Sequence, residues 1–168
     1  MFSKWKSKKE DKQTGTTLEI IAPVSGKAVP LKEVPDAAFS GGQMGRGIAI
    51  QPDEGKLIAP FDGTVAHIVK SNHALILEHS SGAQLLLHIG IDTVSLKGSG
   101  FVSHVASGDV VKAGQTLIEF DLKGIQEAGC ATISPIIVTG LGEQQRIVDE
   151  LYGQVIAGKD RIITITSL

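Results

Sequence analysis

The apolar residues of this chain come in short runs. Glycine, proline or a polar turn cuts each run before it can build a long amphipathic helix. That punctuation constrains the fold more than any other feature. Twenty glycines and six prolines supply it, and the runs between them are rich in Val, Ile and Thr, residues that suit strands. Strands read at about residues 19–22, 27–30, 48–51, 56–58, 64–70, 74–79, 84–89, 110–112, 116–122, 135–139, 153–157 and 161–166. Short strands at this spacing predict an all-β sandwich or barrel. Two helical pieces are expected. One is a turn over Gly124 to Gly129, and the other is a helix over Glu143 to Tyr152, where Ile147, Val148 and Leu151 share a stripe. A chain of 168 residues fits one domain with a sizeable core.

Two segments repeat a pattern. Ala22-Pro-Val-Ser-Gly26 and Ala59-Pro-Phe-Asp-Gly63 lie 37 residues apart, and each leads into a strand. Gly108 to Leu117 reads as a glycine-bounded turn between strands. The arrangement is similar to the biotinyl and lipoyl carrier domains. Their swinging arm needs a lysine in a Met-Lys-Met setting, which this chain lacks.

Charge and cysteine usage narrow the function classes. A net charge of −2 argues against a nucleic-acid partner, which requires a basic face. The single cysteine, Cys130, forms no internal disulfide and fits a reducing cytoplasm, where it reads as a small buried hydrophobe. No apolar run reaches the ~20 residues of a membrane span. Residues 1–17 read as a flexible basic tail and residues 18–168 as the domain. Met1 to Lys12 carries five lysines against Glu10 and Asp11, a local charge of +3 that leaves −5 for the remainder. Phe2 and Trp5 are three apart and share a face of any helix formed there. A weak contact of residues 1–12 with the anionic inner face of the cell membrane is therefore expected.

The chemistry concentrates in Gly82-Ala-Gln-Leu-Leu-Leu-His88-Ile-Gly90-Ile-Asp92-Thr-Val94. Strand side chains alternate faces, so Leu85, Leu87 and Ile89 point to one side and Leu86, His88 and Gly90 to the other. The first set reads as core. The second places an imidazole on an apolar surface with no bulk at position 90, a fit place for a reactive nitrogen that must meet another protein. A second histidine, His73, follows Ser71-Asn72. His67, His79 and His104 have no such context and read as ordinary surface or core residues.

The segment His88-Ile-Gly-Ile-Asp-Thr-Val with Lys97-Gly-Ser-Gly-Phe101 resembles the IIA component of the glucose family of the bacterial phosphoenolpyruvate-dependent sugar phosphotransferase system. The resemblance runs from about Glu19 to the C-terminus. It takes in Ile21-Ala-Pro-Val-Ser-Gly26, Gly47-Ile-Ala-Ile50, Ser71-Asn-His73 and Ile118-Glu-Phe-Asp-Leu122. It implies an antiparallel β-sandwich of the duplicated-hybrid-motif type. It also implies that His88 carries a phosphoryl group and that His73 is its partner. The phosphate then arrives from the carrier protein HPr and leaves for a cysteine of a IIB domain, with no cofactor. Position 71 usually holds a hydroxyl in this family, and Ser71 keeps the donor.

Imidazole suits this chemistry. Its ordinary pKa of ~6.5 leaves a neutral nucleophile at pH 7 that needs no separate base. Phosphoryl transfer asks mainly for positioning and charge stabilisation. Ser71 shares parity with His73 and can hold its inner nitrogen, fixing the tautomer. Gly90 leaves room for the phosphate. Asp92 would repel phosphate if aimed at it, so it reads as an orienting or partner-sensing group that raises a nearby histidine pKa. Docking predicts an exposed apolar collar, with Phe39, Met44, Val69 and Leu86 as candidates. Gly41, Gly42, Gly45 and Gly47 predict a mobile loop before the strand at 48–51. Two further readings stand beside the carrier. The first is a zinc site, either at His73 and His88 completed by a partner's carboxylate or at the two histidines with an aspartate as a zinc-dependent hydrolase. That hydrolase needs three protein ligands, and the chain lacks a His-x-His element. The second is a regulatory module whose partners depend on the phosphorylation state, since a phosphate adds roughly −2 of charge to the face.

Overall fold

A computed structural model describes residues 16–167. Its strands are β1 (Thr17–Ile21), β2 (Gly26–Pro30), β3 (Arg46–Pro52), β4 (Lys56–Ile58), β5 (Gly63–Ile68), β6 (Ala74–Glu78) and β7 (Gln84–His88). They continue as β8 (Phe101–Ser103), β9 (Val110–Val111), β10 (Thr116–Phe120), β11 (Ser134–Gly140), β12 (Gln145–Glu150), β13 (Gly153–Val155) and β14 (Arg161–Ser167). Two short helices, α1 (Ala37–Ser40) and α2 (Leu122–Glu127), and 3-10 turns at Leu31–Glu33 and Thr93–Leu96 complete the described elements. The largest sheet has eight strands in the order β13-β2-β3-β11-β7-β6-β5-β9. Two three-stranded sheets, β1-β14-β12 and β4-β10-β8, accompany it. Every pairing among these strands is antiparallel. No sheet closes on itself, so the architecture is an antiparallel sandwich rather than a barrel.

The large sheet buries side chains on both faces in its middle. One face feeds the main core: Ile48 and Ile50 of β3, Leu75 and Leu77 of β6, Leu85 and Leu87 of β7 and Ile136 and Val138 of β11. Residues of the opposite parity, Ala49, Ala74, Leu86 and Ile137, join a second, smaller cluster. Leu31, Val34 and Phe39 cover that second face from the segment holding the first 3-10 turn and α1. Asp36 starts α1 by accepting the Ala38 amide at 2.9 Å. Burial on both faces explains the unbroken apolar run Leu85-Leu-Leu87 in an antiparallel strand.

The sequence repeat is a structural two-fold. The Ile58 amide donates to the Pro23 carbonyl at 2.8 Å and the Ile21 amide to the Pro60 carbonyl at 3.5 Å. Each turn binds a later glycine turn in the same way. Gly158 donates to Ala22 and Gly114 to Ala59 through backbone bonds of 3.0 and 2.8 Å. Ala157 donates to the Ser25 hydroxyl at 2.9 Å, and Ala113 to the Asp62 carboxylate at 2.8 Å. The turn read over Gly108 to Leu117 therefore has a counterpart at Gly153 to Lys159.

Four expectations need correction. Residues 145–150 form a strand, β12, not part of a helix. Ile147 alone of the presumed stripe packs on the core, while Val148 is 48% and Leu151 37% exposed. A bulge between Ile147 and Asp149 in the β14 pairing shifts the alternation and makes the apolar spacing mimic a helix. The glycines before β3 are not a mobile loop throughout. Gly47 lies within β3, where a Cβ would collide with the Ile136 carbonyl oxygen, so it lets β3 and β11 approach. The presumed tail ends earlier: Thr17 opens β1, and the Thr16 hydroxyl lies 2.7 Å from that of Ser167. Finally, Cys130 is only half-buried, packed at the margin of the main core. The remainder of the basic segment, with its expected membrane contact, lies outside the described residues.

Leu87 is fully buried at the centre of the main core. Leu87→Ala should lower the unfolding free energy by about 2–5 kcal/mol, read from urea denaturation. A loss below about 1 kcal/mol would show that the centre of β7 is not closely packed.

Candidate functional site

The two histidines are neighbours because β6 and β7 are. Ala74 pairs with His88 in the ladder, and one step further the Ile89 amide donates to the His73 carbonyl at 2.8 Å. Asn72, in the left-handed region at φ 59°, turns the chain just before His73. The His73 ring then meets the His88 ring edge-on, with centroids 5.1 Å apart and planes at 79°. Phe39 brings its ring to 5.1 Å from that of His88, joining α1 to the site. His73 is 6% exposed, and His88 is half-buried.

Each imidazole is held through its inner nitrogen. His88 Nδ1 lies 2.7 Å from the Gly90 carbonyl oxygen. A carbonyl can only accept, so Nδ1 carries the proton and Nε2 of the neutral ring carries the lone pair. His73 Nδ1 lies 2.7 Å from the Ser71 hydroxyl, which can donate and leave the proton on Nε2. Neither Nε2 has a hydrogen-bond partner among the described residues, nor is either an unpaired atom sealed from solvent.

Burial dominates the electrostatics. It lowers the His73 pKa to about 4, with the neighbouring His88 charge as the second cause. Burial also lowers the His88 pKa. The Gly90 hydrogen bond and the carboxylates of Asp36 and Asp92 oppose that shift without overcoming it. The expected upward pull of Asp92 is therefore real in sign but outweighed. Asp92 itself is exposed, in the left-handed region at φ 61°. Gly90, at φ 68°, admits no side chain: a Cβ would lie 2.7 Å from the Thr93 methyl and 2.8 Å from the Ala131 oxygen. Its lack of a side chain serves the turn.

The expected collar is only partly exposed. Phe39 and Leu86 are buried in the second cluster and Val69 is half-buried against it. Folding packs them beneath the rings, because the segment from Leu31 to Phe39 lies over that face. Met44, 43% exposed, is the most open of the four. The other histidines stand apart from this pair. His79 bonds Ser81, and His104 pairs with Glu119 at 2.8 Å. His67 is exposed.

Three participants escaped the sequence reading. Asp36 carries an N-cap signal before Ala37-Ala-Phe, but nothing local places its carboxylate near His88. Thr93 and Ser134 are buried hydroxyls that both bond the peptide before Gly90, one at the Ile89 carbonyl and the other at the Gly90 amide. Among the described residues no group of three or more His, Cys, Asp or Glu is placed to hold a metal. The two free Nε2 atoms provide two ligands at most, so the donor set does not fit a catalytic zinc, which takes three. What the pair does offer is one unprotonated ring nitrogen beside a second ring, on an apolar face.

Comparison with known proteins gives the family. The family described as phosphoenolpyruvate-dependent sugar phosphotransferase system, EIIA 1, matches residues 18–143. A glucose-specific EIIA component of Oceanobacillus iheyensis is 38% identical over 88% of this chain and 90% of its own length. That of Haemophilus influenzae is also 38% identical, over 98% of both chains. A beta-glucoside-specific EIIBCA component of Halalkalibacterium halodurans is 44% identical over 91% of this chain, which spans 24% of that longer protein. In three dimensions, glucose permease IIA from Mycoplasma capricolum matches with a TM-score of 0.84 and 34% identity, covering 89% of this chain and 96% of that one. This chain belongs to the EIIA type 1 family of the phosphoenolpyruvate-dependent sugar phosphotransferase system, and is a phosphotransferase component of that system.

Proposed function

We propose that the chain is a phosphocarrier whose His88 Nε2 accepts a phosphoryl group from the phosphohistidine of HPr and passes it to the cysteine of a IIB domain. The observation that carries this reading is the 2.7 Å bond from His88 Nδ1 to the Gly90 carbonyl, which leaves Nε2 with its lone pair. In the first step that pair forms an N–P bond while the bond to the donor's histidine breaks, its electrons returning to the donor ring. In the second, the IIB thiolate forms an S–P bond as the N–P bond to His88 breaks. Neither step needs a base on this chain or a cofactor. Fusion of IIA-like segments to B and C components in relatives supports a IIB partner.

His73 acts on the phosphoryl group. Its neutral ring can donate through Nε2, and a dianion beside it would raise its pKa and strengthen that bond. The neutral, apolar face before phosphorylation and the charged one after it would favour different partners, so regulated target enzymes or transporters are included in the proposal. The two Nε2 atoms can also supply two ligands of a zinc completed by a partner's carboxylate. Such a carrier works in the cytoplasm beside a membrane permease, and no helix among the described residues is long and apolar enough to cross a membrane. The basic residues 1–12, outside the described part, would add a weak, salt-sensitive attraction to an anionic surface.

The experiment is incubation with phosphoenolpyruvate, enzyme I and HPr. His88→Ala should take up no acid-labile phosphate, and full incorporation would overturn the assignment. His73→Gln should still accept phosphate but pass it to a IIB domain about 10²-fold more slowly, the scale of losing one transition-state donor. Unchanged transfer would make His73 merely structural. Acid stability gives a further check. The His73 pKa is about 4 in the folded state against ~6.5 unfolded, so the unfolded chain binds more protons between those values. Stability should therefore fall as pH drops from ~6.5 towards 4, with a shallower fall in His73→Gln. Equal slopes in urea midpoints would show that His73 is not held neutral by the fold.

A further inference from the structure

Both peptide planes that flank Gly90 are fixed, and two buried hydroxyls do half of the fixing. The Ile89–Gly90 peptide takes the Thr93 hydroxyl on its carbonyl at 2.6 Å. Its N–H donates to the Ser134 hydroxyl oxygen at 3.1 Å. The Ser134 hydroxyl hydrogen is committed to the Thr132 carbonyl at 2.9 Å, which leaves a lone pair for Gly90. The Gly90–Ile91 peptide donates through Ile91 to the Ala131 carbonyl at 3.0 Å, and its own carbonyl accepts His88 Nδ1. Gly90 has no side chain to steady it and sits at φ 68°.

The hydroxyls are out of place by ordinary burial rules. Thr93 is fully buried and Ser134 is 2% exposed, where an apolar side chain would carry no desolvation cost. Ser134 begins a strand that continues Pro-Ile-Ile-Val, all buried. Among the described residues its side chain bonds only the Thr132 carbonyl and the Gly90 amide.

We propose that Ser134, together with Thr93, is a positioning residue for His88. The pair clamps the peptide before Gly90, so that the Gly90 carbonyl stays aimed at Nδ1, holds the proton there and keeps the lone pair on Nε2. This rests on the reading of His88 Nε2 as the phosphoryl acceptor. Without the clamp the Ile91–Ala131 bond alone steadies the Gly90 carbonyl, the Nδ1 bond lengthens and the ring populates both tautomers. Part of the population then presents a protonated Nε2 that cannot attack phosphorus.

Nitrogen-15 spectra of the imidazoles at neutral pH test this in the unaltered full-length protein. One tautomer of His88, protonated at Nδ1, is expected, and a mixture would overturn the clamp before any variant is made. Ser134→Ala should move the His88 nitrogen shifts towards the mixture. It should also slow phosphoryl uptake by about 10–100-fold, the scale on which outer hydrogen-bond partners of a working histidine act. The Ser134→Thr variant, which keeps the hydroxyl, should retain the single tautomer. Thr93→Val, isosteric and lacking only the hydroxyl, should act like Ser134→Ala, and it carries the test if Ser134→Ala does not fold. Unchanged tautomer ratios in a folded hydroxyl-free variant would refute the proposal, as would slow uptake with a single tautomer. If the unaltered protein takes up no phosphate on His88, the carrier reading fails. The tautomer measurement still decides the clamp in that case.

Discussion

The structure turns on the burial of both faces of β7. Leu85 and Leu87 enter the main core, while Leu86 enters the smaller cluster under the segment from Leu31 to Phe39. Strand alternation then leaves His88 no choice of side. It must stand at the end of the strand on the second face, where the covering segment stops. The apolar cluster beneath it removes water from part of the ring, and that desolvation is the largest cause of its lowered pKa. A one-residue slip of β7 would send the imidazole into the main core, so the register that fills the core also sets the site.

Desolvation bears on the proposed chemistry, because burial lowers the His88 pKa and so favours the neutral ring, the form with a free lone pair. Burial alone would leave its tautomer undefined. The Gly90 carbonyl supplies what burial cannot, because an acceptor can only face a protonated nitrogen. The carboxylates of Asp36 and Asp92 moderate the effect without reversing it. Across the ladder Ser71 holds His73 by its inner nitrogen, so both rings turn their outer nitrogens away from the backbone. The same duplicated Ala-Pro turns that exchange backbone bonds at Pro23 and Pro60 lock the halves of the sandwich that carry these strands.

Most of the strand map was legible from local pattern, whereas the pairing of His73 with His88 came from the family resemblance, and β6 and β7 bring the two rings together. Glycine and proline mark where strands stop, and period-two burial marks their faces. The reading failed where that local code is altered. The bulge in β12 made a strand imitate a helical spacing. The strand Phe101–Ser103 and helix Ala37–Ser40 are too short for any periodicity to register. Phe39 and Leu86 were expected on an exposed collar but are buried, because sequence cannot tell which segment folds over which face.

What the sequence determined by itself was most of the strands, the side of β7 on which His88 stands and the family that its motifs announce. These depend on neighbours a few residues apart, whose geometry the backbone dictates. Only the tertiary structure decided that Asp36 lends its charge to His88 and that Ser134 reaches the turn at Gly90. Ser134 lies 44 residues from Gly90, and the two meet because β11 pairs with β7. Contacts of that kind follow from sheet order, and sheet order is a property of the packed chain that no short stretch of residues encodes.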